Sequence, residues 1–491
     1  MEASTAQGEN VNKKSDRYRV STQVGVNIAN LASNGQGGLY SSLFIQIQGS
    51  TGMTLTQLGL VSSVTPLGQA FITPLWGFLG DHYSRRILLA LGCIVWGLFT
   101  LLEGIGTSIL YFMAMGTCAG IGVAFIVPTT QSLLSDTVKP GWRGSAYGLL
   151  GLTGTVGVIF GSLFVFMLVV TNNQVGGLDP WQWVFISYGI IGFVAGALVL
   201  LLVKDPVRGC MEPELGKNAA SGRFNKARAD LESYKSIFAN PTFWLIAVQG
   251  VAGSMPWMGL LFLVVWFEYV GFSSLVSAFL YLMIYVGLAV GSLLGGLFGD
   301  LVERWRPWGR VLICQISIAF SIIALSITLL VIPRETSSLF AYAIAGAALG
   351  LCSSWNVPQN TAMLSRVILP EVRSFGYSLV QFFKGISGLG ALATVMVSLI
   401  ATFHGYLSPA EGQSLQSLSS AFRMNDATAL AQGMLWVAII PWILSLVLYI
   451  PVYLTFPRDA KKASYILKAR AVYANTAGVE TGNDRKTLPD S

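Results

Sequence analysis

Lys384 is the most chemically distinctive residue of the chain. It stands in Phe382-Phe383-Lys384-Gly385-Ile386, inside a long apolar run and eleven positions after Arg373. Eleven helical residues rise about 16 Å, which places the ammonium near the middle of a bilayer. A charge there costs about 2.5–3.5 kcal/mol on insertion scales, so it needs a wet cavity or a partner. Three roles stay open. It can anchor a carboxylate or phosphate of a substrate, exchange a proton during a cycle, or serve as a structural donor to backbone carbonyls or asparagines. Neutral hydrogen-bonding groups recur in other apolar runs. Asn27, Asn30 and Asn34 share one helical face, with Gln36 beyond. Thr129, Thr130 and Gln131 form a second group, Gln249 and Trp257 a third, and Trp355, Asn356, Gln359 and Asn360 a fourth. Such residues suit an amphipathic or hydroxyl-rich ligand, or they simply bond helix to helix.

Other chemistry has little support. There is no phosphate-binding glycine loop and no catalytic triad. The five cysteines lack metal-ligand spacing and are expected to be buried small residues. An enzyme is therefore not expected, and neither a cofactor nor a metal is required.

The elements that must position these groups follow from composition. Of 491 residues, 53% are hydrophobic and 11% charged, against about 25% charged in soluble domains. The apolar residues come in runs such as Ile87–Leu102, Trp183–Val203, Val311–Val331 and Met434–Phe456. About 20 apolar residues span a bilayer as a helix, and alternating strand-like segments are missing. The chain is thus expected to be an all-α membrane protein with twelve transmembrane helices. The first six run over 21–47, 54–79, 87–106, 109–135, 145–170 and 181–203. The second six run over 241–269, 274–299, 309–332, 337–364, 374–402 and 430–456. The parts are a tail (1–20), a six-helix bundle (21–203), a charged linker (204–240), a second bundle (241–456) and a polar tail expected to be mobile (457–491). In the linker, Phe224, Ala227, Leu231, Tyr234 and Phe238 suit a short helix lying on the membrane surface, or merely a solvated segment. Of the 30 Lys and Arg residues, only Arg334 and Arg423 fall on one side and Lys384 within a helix. The crowded side, with both termini, is expected to be cytoplasmic. That placement explains the net charge of +7 without a nucleic-acid partner.

Two repeats tie the halves together. Gly77-Phe78-Leu79-Gly80-Asp81-His82-Tyr83-Ser84-Arg85-Arg86 recurs in part as Gly296-Leu297-Phe298-Gly299-Asp300-Leu301-Val302-Glu303-Arg304. Residues 127–149 also align without gaps on 357–379. The identities include Pro128/Pro358, Ser135/Ser365, Arg143/Arg373 and Tyr147/Tyr377. Matched Pro, Arg and Tyr positions are hard to obtain by convergence of apolar sequence. The chain is therefore expected to be two parallel six-helix repeats with a cavity at their interface.

At this point the sequence resembles the major facilitator superfamily. Gly77, Asp81, Arg85 and Arg86 meet its loop signature after the second helix, while His82 and Ser84 depart from it. The second copy keeps Gly296, Asp300 and Arg304. Val127-Pro128-Thr129-Thr130, Asp136 and Arg143-Gly144 look like the spinster-like group, associated with lysophospholipid and sphingolipid export. Gly116 stands where the family's fourth helix commonly has an arginine, so that arginine's role is not carried over. The resemblance implies a central cavity lined by helices 1, 4, 7 and 10. Asn27, Asn30, Asn34, Gln131, Gln249, Trp257, Asn356, Asn360 and Lys384 are then expected substrate contacts. It also implies that Asp81 sits against the start of the eleventh helix near Ser374, with Asp300 mirrored near Ser145. Arg85 and Arg86 would bridge to neighbouring carboxylates. Arg143, Arg304 and Arg373 complete the expected gating group. The glycine stripes Gly148–Gly161 and Gly287–Gly299, on the fifth and eighth helices, would face one another across the halves. The expected function is alternating-access transport of a small organic solute, an organic anion, lysolipid or sugar, by a monomer in a lipid bilayer. The alternatives are a ligand-binding sensor that does not transport, and a passive lipid scramblase.

Overall fold

The computed structural model describes residues 2–52, 55–169, 177–215, 231–387, 391–407 and 419–483. Lipid offers no partner for backbone amides, so long apolar runs satisfy them internally as helices. In the first half these are α1 (Glu2–Asn34), α2 (Gln36–Thr51), α3 (Leu55–His82), α4 (Arg85–Glu103), α5 (Ile109–Thr137), α6 (Arg143–Val169) and α7 (Pro180–Leu202). A short α8 (Leu231–Phe238) follows in the linker. The second half contains α9 (Pro241–Gly259), α10 (Leu263–Val270), α11 (Ser274–Trp305), α12 (Gly309–Ser326), α13 (Leu339–Ser353) and α14 (Asn356–Val367). It ends with α15 (Arg373–Ser387), α16 (Ala391–Phe403), α17 (Ser420–Tyr449) and α18 (Val452–Asn483).

Several spans are made of two helices. The first breaks at Gly35, where a Cβ would clash with the Tyr188 hydroxyl, and the tenth turns between Ser353 and Asn356. Nine described helical runs are long and apolar enough on their own to cross a membrane.

Each half packs around its own apolar core. Trp96, Trp181 and Tyr188 centre the first, and Trp266, Tyr342 and Tyr449 the second. The halves meet along two seams, α6 on α11 and α3 on α15. Close approach along the first depends on glycine: a Cβ on Gly296 would lie 2.3 Å from the Gly144 carbonyl oxygen, and one on Gly148 would lie 2.5 Å from that of Ser292.

Here the glycine expectation is corrected. The fifth and eighth spans do face one another, but the eighth uses Ser292, Gly296 and Asp300 for that contact. Gly287, Gly291 and Gly295 lie one residue round the helix and pack on Ala347, Leu351 and Trp355 within their own half. Likewise Gly154, Gly157 and Gly161 pack on the first span. Successive residues on a 3.6-residue helix point about 100° apart, so a stripe shifted by one residue faces a different neighbour.

The tail also differs from expectation. Residues 457–483 continue α18, a helix docked beneath the second half. Ala463 and Leu467 are buried, and Asp459 accepts from the Thr242 amide at 3.1 Å and its hydroxyl at 2.7 Å, capping the start of α9. The sequence there is polar overall, but Ala460, Ala463, Leu467 and Ala471 recur at three- and four-residue steps on the docked face. Among the described residues the linker helix covers Leu231–Phe238 and buries Ser233 and Ile237, while Leu231 and Phe238 are exposed. Phe224 and Ala227 lie outside the described residues.

Candidate functional site

The charged residues of the sequence repeats gather at one end of the molecule, the end of the linker. Asp81 Oδ1 accepts from the Ser374 amide at 3.0 Å and Oδ2 from the Phe375 amide at 3.1 Å, both in the first turn of α15. Asp300 repeats the contact with the halves exchanged. It accepts from the Gly144 amide at 2.9 Å and the Ser145 amide at 2.6 Å, in the first turn of α6. Free amides and the helix dipole both favour a carboxylate there. This is the contact pair expected from the sequence.

A second pseudo-symmetric layer lies beside the aspartates. Arg143 and Arg373 are both buried, and each donates to the carbonyl eight residues earlier, Ser135 at 2.7 Å and Ser365 at 2.6 Å. The hydroxyls of Ser135, Tyr147 and Tyr377 close a triangle of 2.6, 2.9 and 3.0 Å across the halves. Both arginines bind Oε1 of Glu212, a linker residue that lies between them. Burial opposes ionisation of Glu212, but Arg373 and Arg143 outweigh it and hold its carboxyl down to about 2.

The linker holds further members. Arg85 binds Asp136 at 2.5 Å and the linker's Asp205 at 2.9 Å. Asp136 also accepts from Arg373 at 3.3 Å and from the Gly209 amide at 2.9 Å. Arg208 reaches Asp81 at 3.5 Å and donates to the Gly80 carbonyl at 2.8 Å. Burial pushes the Asp81 carboxyl up to about 7, against the pull of Arg208 and of the two amides. Asp300 has a closer cation, Arg310, at 2.6 Å. Arg310 also holds Glu303 at 2.7 Å and Gln359 at 2.7 Å. These side-chain hydrogen bonds between the halves all lie at this end.

Two expected gating residues stand apart. Arg86 is exposed and donates to the Leu200 carbonyl within its own half. Arg304 is exposed and stacks over Trp142 at 4.7 Å. The reason is helix length. α3 stops at His82, so Arg85 opens the next helix, whereas α11 continues to Trp305 and carries Arg304 on its outer face. The structural mirror of Arg85 is Arg310, in the first turn of α12. Counting from helix starts instead of from the aspartates would have found it. Arg208 and Glu212 had no repeat to flag them.

The mid-helix polar residues are separated into two sets, and the asparagines Asn27, Asn30, Asn34 and Asn360 bond within their own half. Asn30 donates to the Leu150 carbonyl at 2.7 Å and Asn34 to the Asn30 carbonyl at 2.7 Å. Asn27 accepts from the Thr153 hydroxyl at 2.9 Å. Asn27 and Asn30 thus fasten α1 to α6. In the other half Asn360 donates to Gln249 at 3.1 Å and accepts from the Tyr449 hydroxyl at 2.8 Å. Gln131 is buried in α5, and its carbonyl accepts from Tyr147 at 3.2 Å. Trp257 and Asn356 are half-buried. The Lys384 stem lies between α15 and α9, where its carbons would touch a Cβ at Gly250 at 3.0–3.7 Å. Among the described residues, no three His, Cys, Asp or Glu side chains gather where they could hold a metal ion.

Known proteins with similar features fit this arrangement. Protein spinster of Drosophila melanogaster is 28% identical over 206 residues, 41% of this chain and 32% of that protein. The sphingosine-1-phosphate transporter SPNS2 of Danio rerio is 27% identical over 165 residues, 32% of this chain and 31% of that protein. The aligned stretch is thus about a third of these curated relatives' length. A crystal structure of a bacterial homolog of the human lysosomal transporter spinster, inward-facing and unoccupied, superposes with TM-score 0.60 at 18% identity. It covers 90% of this chain and 98% of that one, which is a likeness of fold. The profile of the Major Facilitator Superfamily matches residues 26–392, and the chain belongs to that superfamily.

Proposed function

We propose that the protein is a secondary transporter that moves a small organic solute across its membrane by alternating access. The observation that carries the reading is the reciprocal contact of Asp81 with the start of α15 and of Asp300 with the start of α6. Two rigid halves joined through such polar contacts at one end form a separable interface, which rocking about a midplane site requires. The linker end, rich in Lys and Arg, is the cytoplasmic end, and both termini lie there. The structure is then the state with its cytoplasmic side shut, and Asp81, Arg85, Arg143, Asp300 and Arg373 act as its gate, with Arg310 in place of Arg304.

The substrate class is an organic anion, and a lysolipid phosphate fits it. Two features support this: Lys384 within a span, and a relative named for sphingosine-1-phosphate transport. Gln131, Trp257 and Asn356 would meet the substrate together with Asn27, Asn30, Asn34, Gln249 and Asn360, which do so after exchanging their present bonds. Uptake into proteoliposomes, with lysophospholipids and organic anions and with or without a pH gradient, tests substrate and coupling together. Binding without flux would favour a sensor. Lipid movement independent of any gradient would favour a scramblase. Lys384→Met is expected to abolish uptake of the anionic substrate, and normal uptake would remove the anchor role.

A further inference from the structure

A cavity of about 620 Å³ opens at the linker end, apart from the midplane. Small-molecule sites commonly measure about 300–1,000 Å³. Its wall is drawn from four parts of the chain. Pro140 and Gly141 come from the first half, Arg366 and Arg373 from the second, Glu212–Glu214 from the linker, and Phe456–Lys468 from α18. Five basic side chains line it: Arg304, Arg366, Arg373, Lys461 and Lys468.

Four carboxylates also line it, but three are already neutralised. Asp300 is held by Arg310, Glu303 by Arg310 and Arg366, and Glu212 by Arg143 and Arg373. Glu214 accepts from the Ser464 hydroxyl at 2.7 Å. The bases are not used up in the same way. Lys461 and Lys468 are exposed, and neither has an ion pair among the described residues. Arg366 and Arg373 each keep a buried Nε–H with no hydrogen-bond partner. Arg373 is buried and Arg366 half-buried, and an orphan guanidinium N–H is satisfied by a water or an anion. Pro307, Ile368 and Phe456 add apolar wall.

We propose that this cavity is a binding site for a small phosphate ester, distinct from the transport site. A dianionic phosphate engages two guanidiniums and two ammoniums, where a single carboxylate would leave most of them unmet. The phosphate can belong to a soluble ester or to the headgroup of a lipid in the adjacent leaflet. Because both halves supply wall, the cavity is complete only while the linker end is shut. A ligand bound there shifts the population toward that state and slows transport. The effect on transport rests on the gate reading above, whereas binding does not.

The test uses the full chain in phosphatidylcholine nanodiscs. In one arm inositol trisphosphate is titrated by calorimetry. In the other, phosphatidylinositol bisphosphate is placed in the disc and thermal unfolding is followed. Saturable binding in the first arm identifies a soluble ester, and stabilisation in the second alone identifies a headgroup. Lys461→Gln with Lys468→Gln should weaken binding at least about tenfold, the loss expected for one or two charge-assisted contacts. Lys462→Gln, exposed on the same helix but outside this cavity, should change it less than about twofold. No binding in either arm, or equal weakening by the two variants, overturns the site. Binding that leaves proteoliposome uptake unchanged overturns the coupling to the gate and leaves the site standing.

Discussion

The Asp81 and Asp300 latches make the same contact with the halves exchanged, and they differ in what neutralises them. Asp300 lies 2.6 Å from Arg310, a residue of its own half. Asp81 has lost the equivalent arginine, since Arg85 is drawn to Asp136 and Asp205, and its nearest cation is the linker's Arg208 at 3.5 Å. Both aspartates are buried. One latch therefore carries its own counter-ion, while the other borrows it from the segment that joins the halves. The lesson is that a duplicated motif conserves geometry more readily than charge balance. The Asp81 side is the tunable one, because burial has left its carboxyl near 7.

The comparison can be broken most directly at Asp300. Asp300→Ala leaves two amides and part of Arg310 unpaired, and breaking a buried pair costs about 3–5 kcal/mol. Denaturation of the purified protein should show that loss, and a smaller loss than for Asp81→Ala would reverse the assignment. Glu212→Gln follows at about 3 kcal/mol, since Arg143 and Arg373 share that one carboxylate. Its readout is a thiol. Cys210 is half-buried in the linker, with burial pushing it up to about 11, and it donates to the Asp136 carbonyl at 2.9 Å. Labelling at Cys210, with the other cysteines replaced, should accelerate. Asp81→Ala should cost about 1–3 kcal/mol, the range for unsatisfied amides, because Arg208 keeps the Gly80 carbonyl.

The pH response is of the same order. Asp81 titrates near 7 with the linker end shut, and near the ordinary 3.8 or so once hydrated. The shut state therefore binds the proton more tightly. Its advantage is complete below about 4 and is lost as pH rises through about 7. Glu212, held near 2, stays charged across that window and adds no slope. The shut fraction should fall from pH 5 to pH 8, and Asp81→Asn should remove the slope measured as Cys210 labelling relative to wild type. Least of all, Arg86→Ala should leave uptake near wild type, since Arg86 is exposed and bonds within its own half, and Arg304→Ala should lower it only slightly, since it removes one exposed stack on Trp142 across the halves.

What the sequence determined by itself was whatever is local or periodic. Long apolar runs dictate spans, because lipid leaves the backbone no other partner. The constant offset between 127–149 and 357–379 reveals the repeat, the two loop copies at Gly77–Arg86 and Gly296–Arg304 mark Asp81 and Asp300, and the superfamily resemblance supplied their helix contacts. Asn27, Asn30 and Asn34 were legible as one face, but whether that face meets a cavity or a neighbouring helix was not.

The tertiary structure decided the partners. Arg310 replaced Arg304 because α11 runs past the motif before ending. Glu212 and Arg208 became members of the site because a linker with no periodicity is threaded between the halves. The polar tail became a docked helix because a surface existed to bury Ala463 and Leu467. Charges are neutralised by whatever lies within a few ångströms, at any sequence separation. Spacing along the chain predicted where the latch aspartates sit, and only the folded chain determined which residues neutralise them.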